Sequence, residues 1–503
     1  MISRADILLE LGYGLNSFVN FIQGIIQTRD ELIVENNELK NENKALREQL
    51  KNQHEEIEQL KELVKVLQAQ LNQNSRNSSR PPSSDGLHKQ TVSLRKSGGK
   101  MGAPKGHPGH TLQPTEHPDR IVKLAPQACP KCSNSLLDAP VAGVEKRQVF
   151  DMPIPQIIVT EWQAEHKWCP CCNHIVEASF PAEASAPVQY GPGFAAWTVY
   201  LNARHMMPLE RIQELFADFT GQCPSEATLL AMMERMHGQL APHEAHIKEQ
   251  LAQAPVLHSD ETGCRVMGKT EWIITHSTAG WTYLSVQDTR ATGLKQAGIL
   301  PKYKGTVVHD CFPTYFKFEF ANALCCAHLM RECIGIEQND KQPWATQMKE
   351  LLNSAWQMTK EARAKNSELT SEVRNEIERR YDEILKEGAS VWHLGAVKPK
   401  TGPRGRKSKS KAQNLGERLL KHKEAVLRFL CDARVPFDNN QAERDLRMVK
   451  VKQKVSGSFR TWNGAEMFTR AHGFISTLRK QSKPVLQSLI AVARDQFTFA
   501  DQG

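Results

Sequence analysis

Several things are scarce in this 503-residue chain, and each scarcity removes a class of protein. Its most membrane-like stretch, ILLELGYGLNSFVNFIQGII at 7–26, is interrupted by Glu10, Asn16, Asn20 and Gln23. It is therefore neither a clean signal core nor a spanning helix, and a cytoplasmic protein with no membrane partner is the expectation. Cysteine is too thin for a disulfide framework: of twelve in the chain, five are packed into two short clusters, which points to metal ligation. Acidic residues are outnumbered, 56 against 65 Lys and Arg, and the net charge of +9 suggests a polyanionic partner without speaking to fold. What is present is enough apolar content, 40%, to build real cores, and length for roughly three domains.

The clearest periodicity lies in residues 32–71. Leu32, Leu39, Leu46, Gln53, Leu60 and Leu67 at d place Asn36, Asn43, Leu50, Ile57, Val64 and Leu71 at a, nearly six heptads in one register. Sustained a/d patterning predicts a coiled coil that makes the chain a homo-oligomer, with Asn at a fixing register; the alternative is one long helix folded back on its own domain. The helix is expected to stop in NQNSRNSSRPPSSDG, where Ser, Asn, Pro and Gly replace the apolar positions. A basic, glycine-rich segment free of acidic residues follows at 87–110, either a solvated tether or a strand of charge that can lie along phosphates.

Two cysteine knuckles come next, CPKC with Cys129 and Cys132, and WCPCC with Cys169, Cys171 and Cys172. Separated by a β-rich stretch, they match a zinc ribbon closing on Cys129, Cys132, Cys169 and Cys172, with Cys171 as an alternative ligand. Residues 207–240 then read as two amphipathic helices around TGQCPS, a helix-turn-helix outline that any compact helical hairpin would share.

The carboxylates that suggest chemistry lie further on. The apolar run APVLHSDETG ends in Asp260, with Glu261 beside it as a rival, and begins what reads as a three-stranded antiparallel meander. GTVVHDCFPTY is a buried-looking strand with Asp310 just past its apolar core, although a turn role there is equally open to an aspartate. Glu443 stands in PFDNNQAERDLRMVKVKQK, where helical spacing places Arg447, Lys450 and Lys454 on its face. Such a glutamate is either an ion-pair partner or a metal ligand beside a phosphate backbone. In strand, strand and helix order the three acids fit an α/β ribonuclease-H-like plan, in which hard divalent cations are held by converging carboxylates.

NSSRPPSSD, the paired knuckles, HSDET, HDCFPTY, CCAHLMRE and VPFDNNQAERDLRMVKVKQKVSGSFRT together resemble the transposases of the insertion sequence 66 family. The resemblance spans most of the chain. It implies a DDE transposase whose catalytic and metal-binding triad is Asp260, Asp310 and Glu443, with Mg²⁺ or Mn²⁺ as catalytic cofactor and Zn²⁺ as structural cofactor. Asn439, Asn440, Glu443, Arg444 and Arg447 match the family's pattern around the third acid, and Lys450 resembles the basic residue that commonly follows it. His328 and Arg331 match a further motif and are expected near the metal site. DNA strand cleavage and strand transfer at the element's terminal repeats and in target DNA are the implied activity. Accessory proteins of the same element are implied as further partners, and a bacterial, nucleoid-associated location when bound to DNA is implied as well.

The expected organisation is an N-terminal helix and coiled coil at 1–72, a flexible basic linker at 73–120, a zinc-ribbon-like DNA-binding module at 121–186 and a helical domain at 187–253. A ribonuclease-H-like catalytic domain follows at 254–485, with a helical insertion at 340–412, and a tail closes the chain at 486–503. Within the insertion, KPKTGPRGRKSKSKA has seven basic residues and no acid. Its Arg404, Arg406 and Lys407, together with Arg444, Arg447, Lys450, Lys452 and Lys454, are the expected DNA contacts. Two rivals remain: a zinc-containing coiled-coil regulator without chemistry, and a nuclease that cuts but never joins.

Overall fold

The computed structural model describes residues 3–78, 112–152, 155–181, 183–394 and 409–499. The first helix, α1 (Arg4–Leu71), is 68 residues long. Its predicted a/d residues Leu32, Leu39, Leu46, Leu50, Ile57, Leu60, Val64 and Leu67 are exposed, whereas Val66 is buried. Beyond its end, Asn77 is buried and donates from Nδ2 to Gln338 Oε1 at 2.8 Å. Its carbonyl oxygen lies 2.3 Å from where a Cβ on Gly335 would be, so the approach depends on glycine.

The described residues of 112–190 form a two-stranded antiparallel sheet, β1 (His166–Trp168) with β2 (Ile175–Glu177), and an isolated bridge between Ala128 and Ser135, and none of them is buried. Helices α2 (Pro192–Ala203), α3 (Leu209–Thr220), α4 (Glu226–Gln239) and α5 (Ala241–Gln253) follow. The break between α3 and α4 has a local cause. Gly221 ends α3 with a left-handed φ of 69°, and the Ser225 hydroxyl accepts from the Thr228 amide to cap α4.

Strands β3 (Val256–Val266), β4 (Lys269–Ser277), β5 (Thr282–Gln287), β6 (Thr306–His309) and β7 (Ala321–Leu324) make one mixed sheet in the order β5-β4-β3-β6-β7. The β3–β4 and β4–β5 pairs are antiparallel; β3–β6 and β6–β7 are parallel. Helix α6 (Arg290–Gln296) lies in the connection from β5 to β6. After β7 come α7 (Cys326–Asp340), α8 (Pro343–Ala364), α9 (Ser371–Ala389), α10 (Lys411–Lys421) and α11 (Lys423–Cys431). Trp344, Met348, Leu351, Leu352 and Ala355 recur at helical spacing along α8 and join one buried cluster with Val308, Leu324, Tyr381 and Phe429. Each fully buried side chain of this size contributes about 1.5–3 kcal/mol, so the helices after β7 and the sheet stabilise one another. Helix α12 (Asn440–Ser456) precedes α13 (Trp462–Lys480) and α14 (Val485–Ala493), which pack against α2 and α4.

The chain divides into two compact units, one of residues 1–85, 245–454 and 458–461, the other of 86–244, 455–457 and 462–503. The mixed α/β part lies in the first unit and α2 to α4, α13 and α14 in the second. Among the described residues no helix is long and apolar enough to cross a membrane. Arg404, Arg406 and Lys407 lie outside the described residues, as do positions 79–111 of the predicted linker.

Candidate functional site

The central strand β3 sets the site. Its parallel register with β6 pairs His258 with Val308, and continuing it two residues brings Asp310, just past the end of β6, level with Asp260. Cys311 follows with φ of 74°, a left-handed conformation strained for a residue with a Cβ. That turn is held by the Cys311 amide donating to His309 Nδ1 at 3.1 Å and the Phe312 amide donating to Asp310 Oδ1 at 3.2 Å.

Successive residues of a strand face opposite sides, so Asp260 and Glu261 cannot share one role. Glu261 is enclosed and saturated: Arg290 Nε donates to Oε1 at 2.6 Å and the Tyr315 hydroxyl to Oε2 at 2.7 Å. Burial and the charge of Asp310 push its carboxyl up to about 7 against the opposing pull of Arg290 and Tyr315. Asp260 has one amide partner, that of Glu261 at 2.9 Å. Burial, then Glu261, Asp310 and Glu443, hold its carboxyl well above the usual carboxylate range. Three carboxylates acting on a fourth in a desolvated place is an arrangement a cation would relieve. Arg290 also reaches Asp310 Oδ2 at 3.3 Å and lies over the Phe312 ring, 3.9 Å from its centroid.

Glu443, in the first turn of α12, is set by Asn439, which precedes that helix. Asn439 is buried; its Nδ2 donates to the Ser259 carbonyl at 2.8 Å, its Oδ1 meets His258 Nδ1 at 2.9 Å, and its amide donates to Cys325 Sγ at 3.2 Å. One side chain thus ties the start of α12 to the two residues of β3 just before Asp260. Glu443 Oε1 is enclosed without a hydrogen-bond partner; His328 Nδ1 lies 3.6 Å and the Arg331 guanidinium Nη2 3.8 Å from it. An enclosed carboxylate oxygen left unbonded fits a missing cation. Burial, then Arg331, holds the His328 imidazole below its ordinary pKa, favouring the neutral ring.

Along α12, Arg444, Arg447 and Lys454 are exposed, while Lys450 and Lys452 are partly buried and desolvation lowers both amines. Lys450 Nζ donates to the Gly263 carbonyl at 2.7 Å, so it braces α12 against β3. Arg290 has no sequence signal beyond polarity, whereas Tyr315 closes the motif HDCFPTY and Asn439 belongs to the pattern around the third acid, neither with a role attached.

The cysteine knuckles repeat one geometry. In the first, the Ser133 amide donates to the Cys129 carbonyl at 2.8 Å; in the second, the Asn173 amide donates to the Cys169 carbonyl at 3.0 Å. Ser133 and Asn173 both take left-handed φ values, 56° and 53°. Amides of Lys131 and Cys132 lower the Cys129 thiol, and those of Cys172 and Cys171 lower the Cys169 thiol. Each knuckle therefore favours thiolate, the form zinc binds, and offers half of a tetrahedral donor set. Among the described residues no three of these sulfurs lie within ligand distance of one another.

Comparison with known proteins follows the same division. Residues 126–173 match the zinc-finger binding domain of transposase IS66, which supports Zn²⁺ at the knuckles. Residues 27–113 match a family of unknown function, DUF6444. A Sinorhizobium fredii protein, "Uncharacterized protein y4qI", is 22% identical over 390 residues, covering 69% of this chain and 68% of its own. Residues 187–467, more than half the chain and all three acids among them, match the model of the transposase IS66 family, and the chain belongs to that family.

Proposed function

We propose that the protein binds the ends of its insertion sequence and catalyses metal-dependent DNA strand cleavage and strand transfer, with Asp260, Asp310 and Glu443 as the metal-holding triad. The observation that carries this reading is geometric: the β3–β6 register brings Asp310 level with Asp260, and Asn439 ties the start of the helix that bears Glu443 to Ser259, the residue before Asp260. The sheet order β5-β4-β3-β6-β7, antiparallel on one side of β3 and parallel on the other, supports a ribonuclease-H-like fold. Mg²⁺ or Mn²⁺ bound there would supply activation of the attacking oxygen and stabilisation of the leaving one. The protein's own part is to hold the three carboxylates in place through Asn439 and Lys450, and to offer Arg444, Arg447 and Lys454 to phosphates. Water serves as the first nucleophile and a freed 3′-hydroxyl as the second, so no covalent protein–DNA intermediate is needed. The exposed apolar stripe of α1 supports self-association through a coiled coil. Zinc on the knuckles would fold a module that contributes to end recognition, and accessory proteins of the element join the assembly.

The test is cleavage and joining by the purified full chain on its element's end sequences, with wild type beside Asp260→Ala and Glu443→Ala. Both variants should bind DNA and lose more than about 100-fold in rate, since even residues supporting metal ligands cost 10–100-fold. Variants as active as wild type would remove the triad assignment. Cutting without joining to a supplied 3′-hydroxyl end would make the protein a nuclease.

A further inference from the structure

Among the described residues, one group of three potential ligand side chains has its donor atoms within 4.8 Å of one another: Cys325, His328 and Glu443. His328 Nδ1 is 3.1 Å from Cys325 Sγ and 3.6 Å from Glu443 Oε1. Around a tetrahedral ion with metal–sulfur and metal–nitrogen bonds of usual length, neighbouring donors stand roughly 3.3–3.6 Å apart. The observed separations are close to that before any ion draws the groups in.

The surroundings resist a free thiolate, since burial pushes the Cys325 thiol up to about 12, so a bound ion is what would draw the proton off. Cys325 is the N-cap residue of α7, and its side chain makes no capping hydrogen bond there. The Asn439 amide already donates to its sulfur. The Glu443 oxygen facing His328 is the enclosed one that lacks a hydrogen-bond partner, and Arg331 is the one cation nearby with which an ion would share it. Sulfur, imidazole and carboxylate together form a borderline donor set, which favours zinc-like ions over magnesium, and three protein ligands leave a fourth position open.

We infer that Cys325, His328 and Glu443 form a second cation site, distinct in chemistry from the all-carboxylate cluster, that takes a borderline divalent ion of the zinc or cobalt class. On binding, the Cys325 thiol gives its proton to solvent and Glu443 becomes shared between a soft-donor site and the hard acids Asp260 and Asp310. The binding claim stands on the donor geometry and does not require that the protein cleave DNA.

Full-length protein whose knuckles are already filled with zinc is titrated with Co²⁺, reading the sulfur-to-cobalt charge-transfer band and the visible bands of a low-coordinate ion. One further equivalent per chain is expected. Cys325→Ser should abolish the charge-transfer band, and His328→Ala and Glu443→Gln should each weaken cobalt binding at least about 10-fold. Asp260→Asn, which removes the proposed catalysis, should leave the band in place, so a failed cleavage assay and a failed cobalt titration speak to different claims. Absence of the extra equivalent, or an equal band in wild type and Cys325→Ser, overturns the inference by assigning the ion to the knuckles. Should Cys325→Ser fold poorly, unchanged cobalt affinity in Glu443→Gln overturns it equally.

Discussion

The acid cluster and the cysteine knuckles both gather ligand-type side chains, yet they are built in opposite ways. Asp260 and Asp310 stand level at neighbouring strands of a buried sheet, and Glu443 is on a helix whose start Asn439 pins to that sheet, so for the proposed triad the fold itself sets the positions. The knuckles stand in a span with no buried described residue, where short turns, and at the second pair the small β1–β2 sheet, order the backbone around the cysteines. In the first case the protein spends folding stability to prepare a site; in the second the ion must supply the stability the chain lacks.

Removing zinc should have the largest effect and strike one side of the contrast alone. Chelation, or Cys129→Ser, is expected to raise the rate of limited proteolysis within 112–186 at least about 10-fold, since binding free energy there is folding free energy. Equal cleavage rates with and without zinc would break the comparison. Next in size, Asn439→Ala should lower strand-cleavage turnover roughly 10–100-fold with DNA affinity kept, as expected of a group that positions a ligand without touching substrate. A matching fall in DNA affinity would show that Asn439 serves the fold more broadly.

The smallest effect has the sharpest sign. Asp260→Asn should raise the melting temperature of metal-free protein by about 2–4 °C while removing cleavage. An acid whose pKa is raised by folding holds its proton more tightly folded than unfolded. Its penalty is therefore absent below the unfolded value and grows as pH rises toward the folded one. For neighbouring Glu261 that window runs from its usual 4.5 to about 7. The gain from Asp260→Asn should accordingly be larger at about pH 8 than at about pH 5, and an equal gain at both would mean that charge repulsion is not its source.

Local signals were legible and distant ones were not. The break at Gly221 and Ser225 could be read because a left-handed glycine and a capping serine act within four residues. The strand around Asp260 and the helix around Glu443 announce themselves by period. The rivalry of Asp260 and Glu261 is undecidable in sequence, because it turns on which face of β3 meets Arg290 and Tyr315, residues 29 and 54 positions away from Glu261. The Asn439 contact to Ser259 spans 180 positions. Nothing in the pattern of residues 462–493 names α2 and α4 as the surfaces on which α13 and α14 pack.

Helix α7 gives two remote parts of the chain a common mechanical member. Near its start, His328 and Arg331 stand over Glu443; near its end, Gly335 and Gln338 receive Asn77, a few residues beyond α1. The ten residues from His328 to Gln338 span roughly 15 Å of stiff rod. One rigid element therefore carries both the residues that face the third acid and the seat of the segment after α1, with Gly335 at the point of closest approach.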